Sequence, residues 1–546
     1  MDVEESRMSL CIRFPFILGV SVISALVVGP AFAKSPCENL AALTLANATI
    51  ASATSVPAGP YKPSSEPLQP PPRADLPAFC RVVGTAKPTS DSEIKFEVWL
   101  PASGWNGKFE QVGNGGFAGN IPVAAMVEPL LRGYATAGTD DGHVGGRDVT
   151  WAIRHPEKVI DFGYRAVHET SVQAKAIIRE FYGKDPSQSY FVGCSDGGRE
   201  ALMEAQRFPA DFRGIVAGAP ANHWTHLMFR GLMDERALDD EPASYIPHSK
   251  LPVLQNAALA ACDAIDGVKD GLIQNPRLCR FNPAAVQCKG ADGSDCLTAP
   301  QVEAARKIYG PVKDSQTGAQ ISPGFAPGTE AVPDNWQTWI TGAAAEQFAL
   351  GSFFANAFFA DMVFENPQWD FHTLNFGSDV KLTDDKLASI LNSTDANLRP
   401  FKARGGKLIQ YHGWGDAAIP PQDSIDYFES VQSTVGAAKD FYRLFMVPGM
   451  SHCSGGIGAN VFGNRFAIEQ PDPTHDVVMA LDEWVLHDVA PDRIIATGFV
   501  DGRQGNAVAM TRPLCPYPQD AHYKGTGDTN SAASFVCRAP ATKAAK

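Results

Sequence analysis

Polar and apolar residues alternate along residues 93–100, Glu-Ile-Lys-Phe-Glu-Val-Trp-Leu, the two-residue period of a strand with one buried face. Residues 80–84 ahead of it read as an antiparallel partner. Trp105-Asn106-Gly107 is a turn, and residues 108–112 form a further strand that runs into the glycine cluster Gly113-Asn114-Gly115-Gly116-Phe117-Ala118-Gly119. Residues 134–140 predict a short buried strand, and residues 166–181 carry the 3.6-residue period of an amphipathic helix. A short apolar run then reaches Gly193-Cys194-Ser195-Asp196-Gly197, a helix-compatible stretch follows, and residues 212–220 predict the next parallel strand. Strand, helix, strand is the rhythm of an α/β protein.

That rhythm stops over residues 222–397, which hold four cysteines, loops such as Ser322-Pro323-Gly324 and a dense aromatic run from Trp336 to Phe371. The stretch predicts an inserted lid. Most of its aromatics are expected in the lid's own core, with a few facing a pocket. Afterwards the alternation returns: a strand over 407–411, a helix over 422–435, a strand over 441–447, a helix over 477–487 and a looped tail. Residues 34–75 are rich in Ala, Ser and Pro and predict an arm over the surface. The division expected is a leader over 1–33, an α/β unit in two parts (34–221 and 398–546) and the lid between them.

Composition narrows the setting. The 546 residues are 44% hydrophobic with a formal net charge of -14, which argues against nucleic acid or an anionic membrane surface as partner. Phe14 to Val28 is apolar, Arg13 precedes it, and Ala31-Phe32-Ala33 fits a cleavage site, so residues 1–33 read as a secretory signal peptide. The acidic start (Asp2, Glu4, Glu5) suits this poorly, and Met8 is a better start. Export makes the protein secreted or periplasmic, with no membrane anchor after cleavage. Of the 11 cysteines, Cys11 lies in the leader, leaving ten, an even number that suits complete disulfide pairing. Short loops favour Cys262–Cys279, Cys288–Cys296 and Cys515–Cys537.

Gly193 to Gly197 fits G-x-S-x-G, a strand-to-helix turn that lifts the Ser195 hydroxyl clear of the backbone. Glycine-rich turns also occur in nucleotide-binding proteins, so the motif needs partners. A serine hydroxyl needs a base, and the base a carboxylate. Asp416 and His452 each follow a predicted strand in a glycine-containing loop, and the order Ser195, Asp416, His452 is that of an α/β-hydrolase. His412 is expected as a structural partner of the Asp416 loop. Asp140 and Asp141 fall too early in the chain to be the acid. His223 and His226 have loose metal-like spacing without a third ligand. For the oxyanion, the Asp196 amide and an amide from Gly115 or Gly116 are the candidates, with Gly116 preferred. If Ser195 and His452 meet, their neighbours Cys194 and Cys453 come within disulfide reach.

Cys-Ser in the turn, Asp416, and His452-Cys453 resemble the CS-D-HC motif of the tannase/feruloyl esterase family. The resemblance extends through residues 113–119, Asp161-Phe162-Gly163-Tyr164-Arg165-Ala166, the large lid and all ten mature cysteines. It implies an α/β-hydrolase fold with a large inserted lid domain, and the pairs Cys37–Cys80, Cys194–Cys453, Cys262–Cys279, Cys288–Cys296 and Cys515–Cys537. It further implies hydrolysis of feruloyl or other phenolic esters, with gallate esters or terephthalate monoesters as alternatives and no organic cofactor. Carboxylates at Asp263, Asp266 and Asp270, with glycines between them, suit a hard cation or simply an acidic turn. By resemblance the cation is a structural Ca2+ in the lid, with Val268 and Leu272 adding carbonyls. A serine peptidase and a catalytically silent binding protein on the same fold are the readings from other classes.

Overall fold

The computed structural model describes residues 35–60, 75–147, 149–239, 241–345, 347–464, 468 and 471–539. The expected leader and the choice between Met1 and Met8 lie outside them. Nine strands form the central sheet: β1 (Ala48–Val56), β2 (Phe79–Ala86), β3 (Ile94–Pro101), β4 (Lys108–Val112), β5 (Ala135–Thr139), β6 (Gln188–Cys194), β7 (Gly214–Gly218), β8 (Lys407–Gly413) and β9 (Tyr442–Val447). Their spatial order is β1-β2-β3-β5-β4-β6-β7-β8-β9. The first three and β5 pair antiparallel, and every pairing from β5–β4 onward is parallel. Strands β7 and β9 are short, mostly apolar runs, as expected where helices cover both faces, whereas β4 also buries Glu110 and Gln111.

Helices α1 (Ala166–Tyr182) and α2 (Asp196–Arg207) precede the inserted stretch, which contributes α3 (Trp224–Asp239), α4 (Leu251–Cys262), α5 (Ala299–Tyr309) and α6 (Leu350–Ala357). Two more, α7 (Gln422–Val435) and α8 (Val477–His487), follow it. One sheet face packs Phe109, Phe191 and Leu408 against Ile177 of α1, Leu202 of α2 and Phe428 of α7. The other packs Tyr190, Val216 and Tyr411 against Leu481 and Trp484 of α8. The chain between β7 and β8 builds separate apolar clusters, one around Phe229, Phe358 and Phe359, another around Ile308 and Trp336.

Two expectations need correction. Part of the Ala/Ser/Pro-rich arm is the sheet's edge strand β1, paired along its length with β2. Its side chains are small and mostly exposed, so no alternation marks it. The tail is not simply looped either: Ile494–Phe499 pairs with Val508–Leu514, and Asp520–Tyr523 with Phe535–Arg538. All five expected disulfides are formed.

Candidate active site

Strand β6 turns directly into α2 at Ser195, whose φ of 68° and ψ of -123° lie outside the regions an L-residue adopts without strain. Glycine is a steric necessity on either side. A Cβ at Gly193 would sit 2.3 Å from the Gly197 carbonyl oxygen, and one at Gly197 would sit 2.8 Å from that of Asn114. The turn is fastened by Ser195 N–H donating to Gly218 O (3.0 Å) and Gly197 N–H to Asn114 O (3.0 Å).

The parallel register carries the ends of β6, β8 and β9 to the same sheet edge, and the loops after them meet there. His452 Nε2 lies 2.8 Å from Ser195 Oγ, and its Nδ1 lies 2.8 Å from Asp416 Oδ2. The other Asp416 oxygen accepts from the Ala418 and Ile419 amides at 2.8 and 2.9 Å. Burial alone would raise the Asp416 pKa. The His452 charge and the hydrogen bond from His412 outweigh it and hold the carboxyl well below its usual range. His412 Nε2 lies 3.2 Å from Asp416 Oδ2, and its Nδ1 accepts from Ser424 Oγ at 2.7 Å. Ser424 in turn accepts from Gln410 Nε2 at 2.6 Å, so the carboxylate rests on a buried chain of polar groups. The Cys194–Cys453 disulfide, with Cα atoms 6.0 Å apart, joins the residue before Ser195 to the residue after His452.

Gly116, with a φ of +61°, lines the same cavity as Ser195 and His452. The Asp196 amide is the first of α2, where N–H groups have no partner within the helix. These two amides are the ones the sequence proposed for an oxyanion. Ten aromatics lie in the run from Trp336 to Phe371, and Trp339 and Phe354 are the two that line the cavity. Trp339 meets the His452 ring edge-on with centroids 5.1 Å apart. Sequence reasoning missed Trp224, Leu227, Met228, Phe325 and Ile419, which complete the apolar wall. No spacing distinguishes them from core residues.

His223 and His226 stack on each other, centroids 3.8 Å apart, and His226 is consumed by Ile321 O and Asp384. Among the described residues, the carboxylate or histidine group with ligand atoms within 4.8 Å of one another is instead Asp141, Asp196 and Glu200, buried beneath the turn. Burial, then the neighbouring Glu200, raises the Asp141 pKa. The Asp263–Leu272 loop folds on itself. Asp263 accepts from the amides of Asp270 (3.2 Å) and Gly271 (3.1 Å), Asp266 from Val268 (3.0 Å), and Asp270 from Leu272 (3.2 Å). Asp270 also pairs with Arg512 of the tail.

Buried carboxyl groups give the protein a definite pH dependence. Burial pushes Glu110 and Asp423 up to about 8 and Asp140 up to about 7. Each holds a proton in the folded state that it loses near pH 4 when unfolded, so the folded state binds more protons between those limits. Their stabilisation is complete below the unfolded value and lost as pH rises through the folded one. The melting temperature is therefore expected to fall from pH 5 to pH 8.5. A melting temperature that rises across that window contradicts the assignment.

Comparison with known proteins places this geometry in context. The profile of the family described as tannase and feruloyl esterase matches residues 80–538. An uncharacterized esterase of Xanthomonas campestris is 43% identical over 533 residues, covering 93% of this chain and 92% of that one. Mono(2-hydroxyethyl) terephthalate hydrolase of Piscinibacter sakaiensis is 34% identical, with 86% of each chain covered. The crystal structure of feruloyl esterase B from Aspergillus oryzae superposes with a TM-score of 0.83 at 30% identity, covering 92% of this chain and 99% of that one.

Proposed function

We propose that this chain, which belongs to the tannase and feruloyl esterase family of carboxylic ester hydrolases, is an exported serine esterase that cleaves esters of phenolic and other aromatic acids through an acyl-enzyme. The observation that carries the reading is His452 within 2.8 Å of both Ser195 and Asp416 beneath an aromatic-walled cavity. Ser195 Oγ attacks the ester carbonyl while His452 Nε2 takes its proton. Asp416 holds the imidazole with Nδ1 protonated and favours its cation. The Asp196 and Gly116 amides stabilise the oxyanion. His452 then protonates the leaving alcohol, and water, activated by the same ring, releases the acid. Trp339, Phe354 and the apolar wall suit an aromatic acyl group. Hydroxycinnamoyl esters are the preferred substrates, ahead of gallate esters and terephthalate monoesters. Export is supported by the leader pattern and five disulfides. Among the described residues no helix is long and apolar enough to cross a membrane.

The test is hydrolysis of methyl ferulate, methyl gallate and a terephthalate monoester by purified protein. Fastest turnover of the ferulate ester is expected, and no turnover of any of the three would overturn the reading.

The loop of Asp263, Asp266 and Asp270 fits a structural Ca2+. Burial, then Asp270 and Asp263, pushes the Asp266 pKa up to about 6, a crowding of carboxylates that a divalent cation relieves. The Val268 and Leu272 carbonyls would complete the ligands. Val268 packs on Cys515 and Phe535 of the tail, and Leu272 lies against Gly449 in the loop leading to His452. The loop thus braces the catalytic face without touching the reacting atoms. Chelation with EDTA is expected to lower the melting temperature by roughly 3–4 °C, with recovery on adding Ca2+. No change, in the wild type or in Asp263→Ala, would refute the assignment.

A further inference from the structure

The cavity in front of Ser195 is apolar along its walls, yet two lining side chains away from the triad form an ion pair. Arg230 and Asp234 sit one turn apart on α3, 1% and 4% exposed. Arg230 Nε donates to Asp234 Oδ2 at 3.0 Å and Nη2 donates to Oδ1. Nη1 donates to Gly310 O at 2.8 Å and the second Nη2 hydrogen to Lys307 O at 3.3 Å. Four of the five guanidinium N–H groups are thereby used, leaving one on Nη1. Among the described residues the Asp234 oxygens accept only from Arg230, and they keep further lone pairs.

Position supports a role beyond packing. The Ala221 amide donates to Ser195 O at 3.1 Å, so the approach to α3 starts at the nucleophile. From Trp224 to Arg230 the helix rises about 9 Å, the length of a ring and its spacer. Leu227, Gly231 and Asp234, four and then three residues apart, share the face that lines the cavity. The far end therefore offers one donor and one acceptor with no net charge.

We infer that Arg230 and Asp234 form a recognition subsite for the para-hydroxyl of a phenolic acyl group, the hydroxyl donating to Asp234 and accepting from Arg230 Nη1. The inference rests on the proposed esterase activity and specifies its acyl class. A cinnamoyl group, with its vinyl spacer, reaches the pair better than a benzoyl group. An unsubstituted ring displaces water from the pair and gives nothing back. A terminal carboxylate is worse, because it is buried beside Asp234 with a single N–H to meet it.

The test compares kcat/KM for the methyl esters of 4-hydroxycinnamic, cinnamic and 4-carboxycinnamic acids with the full-length protein. The hydroxyl is expected to raise kcat/KM at least about tenfold over cinnamate, with the carboxy ester slowest. In Asp234→Asn the ratio between hydroxylated and unsubstituted esters is expected to collapse below about threefold. Equal wild-type rates on those two, or a fastest carboxy ester, would overturn the subsite. So would a variant that slows both and keeps their ratio, because Arg230 would then serve only to tie α3 to α5. If Asp234→Asn does not fold, the wild-type series decides alone. Failure to hydrolyse any of the three would instead sink the esterase reading, and the subsite with it.

Discussion

Ser195→Ala is expected to lose ester hydrolysis by on the order of 10⁴- to 10⁶-fold while melting within about 2 °C of the wild type. Alanine tolerates the strained backbone no worse than serine, and the elbow's fastening bonds run through the backbone. The lost Oγ lies 2.8 Å from His452 Nε2 and is the attacking atom of the proposed mechanism, so the cost is expected to fall on the chemistry. Asp416→Asn sharpens the point. Its carboxylate spends Oδ1 on the Ala418 and Ile419 amides and Oδ2 on the two histidines. An asparagine that keeps its oxygen on the amides must turn its NH₂ toward His452 Nδ1. That stabilises the wrong tautomer and leaves Nε2 unable to accept the Ser195 proton. A loss of about 10⁴-fold in kcat is expected. Retention of more than a tenth of wild-type kcat in either variant would mean that another group does the work.

The second large effect concerns the Cys194–Cys453 disulfide, which joins positions 259 apart in sequence. Removing both cysteines as alanines is expected to cost about 2–5 kcal/mol of stability and, in a chain of this size, roughly 2–5 °C in melting temperature. A separate loss of about 10- to 100-fold in kcat is expected at temperatures where the variant is fully folded. The bond ties the elbow to the loop that presents His452, and Cys453 itself has a φ of +62°. Without the tie, the 2.8 Å contact between Ser195 and His452 is one geometry among several. Calorimetry and single-temperature kinetics separate the two losses. Lowered stability with unchanged kcat would make the disulfide a staple and nothing more.

What the sequence made legible was what local chemistry encodes. The alternation over residues 93–100 became β3, the 3.6-residue period over 166–181 became α1, and residues 422–435 and 477–487 are helical as expected. Glycines flanking Ser195 announced the elbow because no other residue fits there. Chain order then pointed to Asp416 and His452, since in a parallel sheet the loops after successive strands share one edge.

Long-range packing was not legible. Strand β1 exposes most of its small side chains, so its pairing with β2 left no pattern to read. The tail ribbons are stabilised by each other and by Cys515–Cys537, again without a local signal. Phe354 in the cavity and Phe358 in the core are the same residue four positions apart, and only the fold tells them apart. Arg230 and Asp234 have the i, i+4 spacing of any ion pair on a helix surface, and only the fold buries them in the cavity. The carboxylates of Asp196 and Glu200, one turn apart on α2, meet that of Asp141 only because the turn after β5 lies under the helix.

The measurement that reaches the central claim most directly is intact and peptide mass spectrometry of the protein quenched in acid during turnover of methyl ferulate. The account predicts a feruloyl adduct on the peptide containing Ser195, formed with a burst of methanol stoichiometric with enzyme and absent from Ser195→Ala. Steady hydrolysis with no adduct on that peptide, or with the adduct elsewhere, would contradict it.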